Sequence, residues 1–348
     1  MSRLPATIRS TREAVRGVPR GAFVPASEPT RVDEFGFELA LCAHLERTRE
    51  WILGRQLGAA VRGRRVIDVA AVEPGPAFDA RAAITDRTIP APAVESDVGP
   101  GRARYWKDAF DCHPDRARAV VDRAVELGFF ERERHNGREY VRQTVRYPDW
   151  FGRIVGVENK PDLTRPGDLE TQLRTDVCLG LFDEVVLATE SYVTGAHRNR
   201  IPDEVGIWRF HPGDGEREVV REPTPLSPDE PGVELVERGA ARTDVRIVAP
   251  GEKARARRRL AERAYGKGWR TYEFPACSRV DPGADCLPHC EWHGRLVRPA
   301  TECGSDCPGH DPAEPPARDA EAVRADRTPW RPDPDGRTRQ QSSLDHFG

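Results

Sequence analysis

Ile154-Val-Gly-Val-Glu-Asn-Lys160 is an apolar run that ends in an acid and a lysine two residues apart, followed by Pro161. Its composition predicts a strand. Residues two apart on a strand share a face, so Glu158 and Lys160 can address one site. A second run, Arg65-Val-Ile-Asp-Val-Ala-Ala-Val72, carries the single acid Asp68 and closes at the turn Glu-Pro-Gly-Pro of 73–76. Ahead of it, Phe35, Phe37, Leu39, Leu41 and Leu45, followed by Trp51, Ile52 and Leu57, read as a helix with Glu34 and Glu38 on one face. Downstream come a helix from Gly167 to Leu181 and strands at Glu184–Thr189 and Val205–Phe210. The order helix, strand, strand, helix, strand, strand predicts an α/β fold with a central mixed sheet.

Carboxylates can hold a divalent ion, and a nearby cation can orient water and stabilise developing negative charge. Asp68 and Glu158, with Glu38 from the flanking helix, supply oxygen ligands suited to Mg2+ or Mn2+. Lys160 is one of only four lysines among 54 basic residues, in a chain that otherwise writes arginine for a plain cation.

This order, an acid on a first helix, Asp68 on a strand, Glu158-x-Lys160 on the next, then helix and strand, resembles the PD-(D/E)xK nuclease superfamily over about residues 33–210. The resemblance implies a restriction endonuclease-like fold, metal-dependent DNA cleavage in repair or replication, metal ligation by Asp68 and Glu158, and water activation by Lys160. In that superfamily the aspartate often follows a proline; here that pair is Pro148-Asp149, so Asp149 competes with Asp68 for the role. Asp68 is preferred, because Asp149 leaves little room for a strand and a turn. Gln172 resembles the extra glutamine of RecB-like members. The whole chain also resembles proteins of salt-adapted archaea, which implies no activity.

Between the two parts of this core (31–104 and 148–210), residues 105–147 read as an inserted module. His113 to Leu127 forms a helix stopped by Gly128, and two strands flank the hairpin turn His135-Asn-Gly137. The pattern resembles the second half of a winged helix, which implies either DNA binding or a wing used only for packing. Residues 1–30 read as a polar arm, 211–240 as a linker rich in proline, glycine and acids, and 241–275 as a basic α/β extension. Eight basic residues lie between Lys253 and Arg270; Arg255, Arg258, Arg259 and Lys267 are candidates for phosphate contact, against the plain alternative of a solvated helix face.

Five of the eight cysteines (Cys277, Cys286, Cys290, Cys303, Cys307) fall in a Cys-rich segment, 276–310. Two pairs with three-residue gaps, and no export signal in view, favour metal over disulfides. Zinc is one occupant; a resemblance to RecB-like nucleases with cysteines beside the core implies an iron–sulfur cluster as the other. Cys42, Cys112 and Cys178 read as apolar filler. Residues 311–348 have few apolar side chains and are expected to be disordered. They end in Gln341-Ser-Ser-Leu344-Asp-His-Phe347-Gly348, which resembles the peptide that docks on the replication sliding clamp through Gln341, Leu344 and Phe347.

The net charge is only −3 and no run approaches a membrane span, so any nucleic-acid surface must be local and a cytoplasmic location is expected. A non-catalytic DNA-binding or scaffold protein that keeps the nuclease fold, and a winged-helix transcription regulator, are the competing readings.

Overall fold

The computed structural model describes residues 33–238 and 242–334. In chain order the first elements are helix α1 (Glu34–Thr48), strands β1 (Ile52–Gly58) and β2 (Val66–Pro74), short helices α2 (Phe78–Ala82) and α3 (Ala91–Glu95), strand β3 (Arg104–Tyr105) and helix α4 (Pro114–Glu126). Strands β4 (Phe130–His135), β5 (Arg138–Gln143) and β6 (Phe151–Asn159) follow, then α5 (Leu169–Leu179), β7 (Glu184–Thr189), α6 (Gly195–Arg198), β8 (Gly206–His211) and β9 (Glu216–Arg221). The rest comprises β10 (Gly232–Arg238), β11 (Thr243–Val248), α7 (Pro250–Lys267), three two-residue strands β12 (Val280–Asp281), β13 (His289–Cys290) and β14 (Arg295–Leu296), and helices α8 (Pro299–Glu302) and α9 (Ala320–Arg327). No helix among the described residues is long and apolar enough to cross a membrane.

The central sheet is mixed, with strand order β1-β2-β6-β7-β8-β9. β1, β2 and β6 run antiparallel in turn, whereas β6–β7 and β7–β8 are parallel. A parallel neighbour requires a crossover, and α5 provides it between β6 and β7. Asp33 caps α1 by accepting a hydrogen bond from the Gly36 amide at 2.6 Å, and Gly180 ends α5 in the left-handed conformation.

Alternation along the strands gives the sheet two apolar faces. Val69, Val157, Val186 and Phe210 meet Phe37, Leu41 and Leu45 of α1 on one face. Ile154 and Leu187 meet Leu173 of α5 and Leu260, Ala264 and Tyr265 of α7 on the other. The basic helix α7 is therefore a layer of the core rather than an extension beyond it, because its apolar stripe is what β1 and β2 need covered.

The inserted module has its own core, in which Val121, Phe129, Phe130 and Val141 pack with Ile84, Ile89, Ala93 and Val98. It thus begins well before residue 105. Its three strands pair in the order β3-β5-β4, and the hairpin turns on Asn136 and Gly137, both at positive φ as such a tight turn requires. The module is tied to the main core by a buried polar network. Arg81 donates to Glu262 of α7, Tyr147 donates its hydroxyl to Glu262 at 2.6 Å, and Trp150 donates to the Tyr147 oxygen at 2.7 Å.

Trp51, Ile52 and Leu57 do not continue the first helix: α1 ends at Thr48, and Ile52 and Leu57 lie in β1 at the edge of the central sheet. Two expectations drawn from composition are corrected as well. Residues 211–240 are not a linker: they contain β9 on the sheet edge and β10, which pairs with β11. The segment after 311 is not wholly unstructured, since α9 forms and Trp330 is buried, donating its indole N–H to the Asp86 carbonyl with the Arg324 guanidinium 4.1 Å from its ring. Edge strands tolerate charge on both faces, and one tryptophan can anchor a polar segment, so average composition sees neither. Gln341, Leu344 and Phe347, and the 1–30 arm, lie outside the described residues.

Candidate active site

β2 and β6 are antiparallel neighbours whose register pairs Val69 with Val157 and Ala70 with Gly156. Asp68 and Glu158 adjoin the Val69–Val157 pair at the end of this register, each within electrostatic reach of the other. Asp149 is exposed at the far end of β6, where it lines a separate cavity of about 890 Å3. The structure therefore brings Asp68, and not Asp149, to Glu158.

Four acids collect at this end of the sheet. Glu38 is held by Arg55, and the Gln56 amide donates to Glu38 at 2.9 Å and to Asp68 at 3.1 Å. Gln56 reaches both because its backbone is left-handed, with φ of 51°, which interrupts the alternation of β1. Asp68 also accepts the Asn159 backbone N–H at 2.8 Å. Glu158 faces the other way along the site: the Arg65 guanidinium donates to it at 2.6 Å and to Asp176 of α5 at 2.6 and 3.0 Å. Lys160, just past the end of β6, donates to Glu34 at 2.5 Å. Glu158 and Lys160 therefore have separate partners, because the strand ends at Asn159 and the lysine leaves its alternation.

Burial sets the electrostatics. It pushes the Glu158 carboxyl up to about 8, with the Asp68 charge adding to the effect and Arg65 opposing it. Asp176 is pushed up to about 6 by burial against the pull of Arg65, and Asp68 and Glu38 are raised for the same first reason. Four acids share two guanidiniums, and burial, with repulsion between neighbouring carboxylates, raises all four rather than leaving four full charges. Carboxylate oxygens are the hard donors that magnesium and manganese take. Among the described residues no three Asp, Glu, His or Cys side chains are already arranged to hold an ion, here or elsewhere. At this centre Arg65 and Arg55 stand against the acids instead.

Glu34, Phe35, Glu38, Asp68, Asn159 and Arg298 are among the residues lining a cavity of about 570 Å3 on the α1 side. Gln172 is half-buried on α5 and does not line this cavity; the α5 side chain that bonds into the acid cluster is Asp176, one turn on. Arg65, Asp176, Arg55, Gln56 and Asn159 escaped the sequence reading. The conjunction of Arg65 with the first residues of β2 was the one signal for the first of them.

The basic residues of α7 do not form one surface. Arg259 makes two bonds to Glu95 at 2.6 and 2.5 Å, Lys267 donates to the Arg55 carbonyl at 3.0 Å, Arg258 is half-buried, and Arg255 is exposed. Lys253 donates to the carbonyls of Ser227 and Glu230, and Arg257 to the Leu181 carbonyl and, at 2.8 Å, to the Asp183 carboxylate. In a chain this rich in arginine, cations also serve as internal caps.

In the Cys-rich segment, Cys277 and Cys290 are buried, and Cys303 and Cys307 half-buried. Burial, then the neighbouring Cys290, Cys307 and Cys277 thiols, push the Cys303 thiol up to about 11. Cys307 lies with its sulfur 3.8 Å from Nε2 of His293. Cys286 stands apart from the four: its carbonyl accepts the Tyr272 hydroxyl, and its charged neighbours are Arg270, Arg318, Asp319 and Arg327.

A family model, described as a family of unknown function (DUF5787), matches residues 52–312. The match takes in Asp68, Glu158, Lys160 and the cysteines, and leaves out α1 with Glu34 and Glu38. Neither the curated proteins nor the solved structures gave a match. The chain belongs to the DUF5787 family, whose function is unknown.

Proposed function

We propose that this chain is a metal-dependent DNA nuclease of the PD-(D/E)xK type, acting in repair or replication. The observation that supports the reading is the approach of Asp68 and Glu158 at the same end of two antiparallel strands, with Lys160 two residues on, in a sheet where α5 leads from β6 to a parallel β7. Asp68 and Glu158 would hold Mg2+ or Mn2+, which lowers the pKa of bound water and offsets charge on the phosphoryl oxygens. Arg65, which bonds both Glu158 and Asp176, would keep Asp176 as its partner where Glu158 holds the ion, and Lys160 would supply the cation that orients the attacking water. The winged-helix reading of the module is supported by its three-stranded order and by α4, whose outer face exposes Arg116 and Arg123.

The arginines favour a second reading, a nucleic-acid-binding protein without catalysis, in which Arg65 and Arg55 permanently occupy the acids. Incubating the full chain with end-labelled single-stranded, duplex and flapped DNA, with Mg2+, Mn2+ or EDTA, separates the two. Metal-dependent cutting supports the nuclease; retained binding without cutting of any substrate abandons it for the second reading.

The cysteine segment would take a structural zinc ion or an iron–sulfur cluster on Cys277, Cys290, Cys303 and Cys307, a soft-donor set. Purified protein should carry about one equivalent of zinc or several of iron, and Cys303→Ser should lose it while Cys286→Ser keeps it. Metal-free native protein would reject the site. The tail motif would recruit the chain to the sliding clamp: Phe347→Ala should weaken capture by immobilised clamp at least about tenfold, since the apolar plug supplies most of such an interaction. Unchanged capture would remove the clamp from the proposal.

A further inference from the structure

The Asn159 side chain is 5% exposed, and neither its Oδ1 nor its Nδ2 has a hydrogen-bond partner among the described residues. The residue is among those lining the 570 Å3 cavity with Asp68 and Glu38, with both amide atoms covered, so a ligand has to displace what covers them to reach the carboxamide. Its backbone N–H is used by Asp68, so the strand position is held while the carboxamide is left over. A buried amide without partners is costly, and at a native site it calls for a reason. Tyr272 and Phe35 also line the cavity, the tyrosine fixed through its hydroxyl to the Cys286 carbonyl, and Arg298 stands at the rim with its guanidinium 5.1 Å from the Phe35 ring.

A carboxamide offers one donor beside one acceptor. The pairing edge of every nucleobase presents the complementary couple, and does so only when the base is unpaired, because a duplex has already used it. The volume falls within the range of about 300–1,000 Å3 common to small-ligand pockets, and the aromatic side chains supply apolar surface for a base. We propose that this cavity takes a single unpaired nucleotide, with Asn159 reading the pairing edge of its base beside the acid cluster. The inference rests on the nucleic-acid reading of this site and names its substrate: single-stranded or locally opened DNA rather than continuous duplex.

The test measures binding in EDTA, so that it does not depend on cleavage. Fluorescence anisotropy of the full chain is compared on a labelled single-stranded oligonucleotide, the same strand with abasic residues, and a blunt duplex. Wild type should prefer the normal single strand over both others by about tenfold or more, the discrimination typical of one bidentate contact. Asn159→Leu should erase that preference while its thermal midpoint stays level or rises, since a cost of burial is removed. Asn159→Asp, which keeps the volume and loses the donor, should lose the preference as well and serves if the leucine variant does not fold. Equal binding of normal and abasic strands by wild type, or a preference that survives both substitutions, overturns the inference. Base-dependent binding without any cutting upholds it and removes only the catalytic reading, whereas no binding to any DNA removes both.

Discussion

Lys160→Ala should lower metal-dependent cleavage by about two to four orders of magnitude, the range expected when a cation that orients the nucleophile and meets developing charge is deleted. DNA affinity should change little, because one partly buried lysine contributes a small share of a polyanion's attraction. Asp68→Asn should be as severe, but for another reason: it keeps the side chain's size and one of the two oxygens that accept from Gln56 and the Asn159 N–H, while removing a full charge from the metal centre, so more Mg2+ should be needed for what turnover remains. Glu34→Gln should be mild, since Glu34 only parks the lysine. Single-turnover cleavage on one defined substrate measures all three, and normal rates in both Lys160→Ala and Asp68→Asn would remove this end of the sheet from the chemistry.

Glu262→Leu should be the most destabilising single substitution in the described chain, by about 3–5 kcal/mol, as is typical when one partner of a buried ion pair is removed. Arg81 is fully buried, and Glu262 accepts from Arg81, from the Tyr147 hydroxyl and from the Ile89 backbone N–H at 2.7 Å. Deleting the carboxylate leaves the Tyr147 hydroxyl and the Ile89 N–H without this acceptor, and Arg81 with the carbonyls of Thr85 and Arg87 but no counter-charge. Tyr147→Phe removes one of these bonds and should cost only about 1–2 kcal/mol. The double variant Arg81→Met, Glu262→Leu should recover much of the loss, because a well-packed apolar pair replaces two buried charges. Chemical denaturation followed by circular dichroism reads these differences; a loss below about 1 kcal/mol in Glu262→Leu would mean that the network does not hold the module to the core.

The strands that carry the candidate site could be read from the chain because each is an apolar run interrupted by one acid, and period-two alternation then sets Asp68 and Glu158 where neighbours can meet. Their approach depends on register, which only tertiary packing selects. Arg65 and Asp176 were not legible, since an arginine among so many, and an acid on a helix, acquire meaning only when the fold sets them 2.6 Å apart. The left-handed Gln56 was hidden for a related reason: glutamine carries no turn signature, and the contacts to Glu38 and Asp68 hold it there. Cys286 reads as a ligand by spacing, yet it sits buried at positive φ with arginines, not the other clustered cysteines, among its charged neighbours, and spacing does not encode that.

The inserted module begins and ends at the same place. Pro74 pairs with Phe151, and the Gly75 amide donates to the Trp150 carbonyl at 2.7 Å, so the two chain ends of the excursion are adjacent. A flexible excursion of this length would burden the β2–β6 pairing with loop-closure entropy, whereas a module that folds on its own core presents its ends already side by side. The long stretch of chain between Asp68 and Glu158 therefore adds little closure cost to the β2–β6 pairing while the module is folded, and a substitution that unfolds the module should loosen the approach of the two acids along with it.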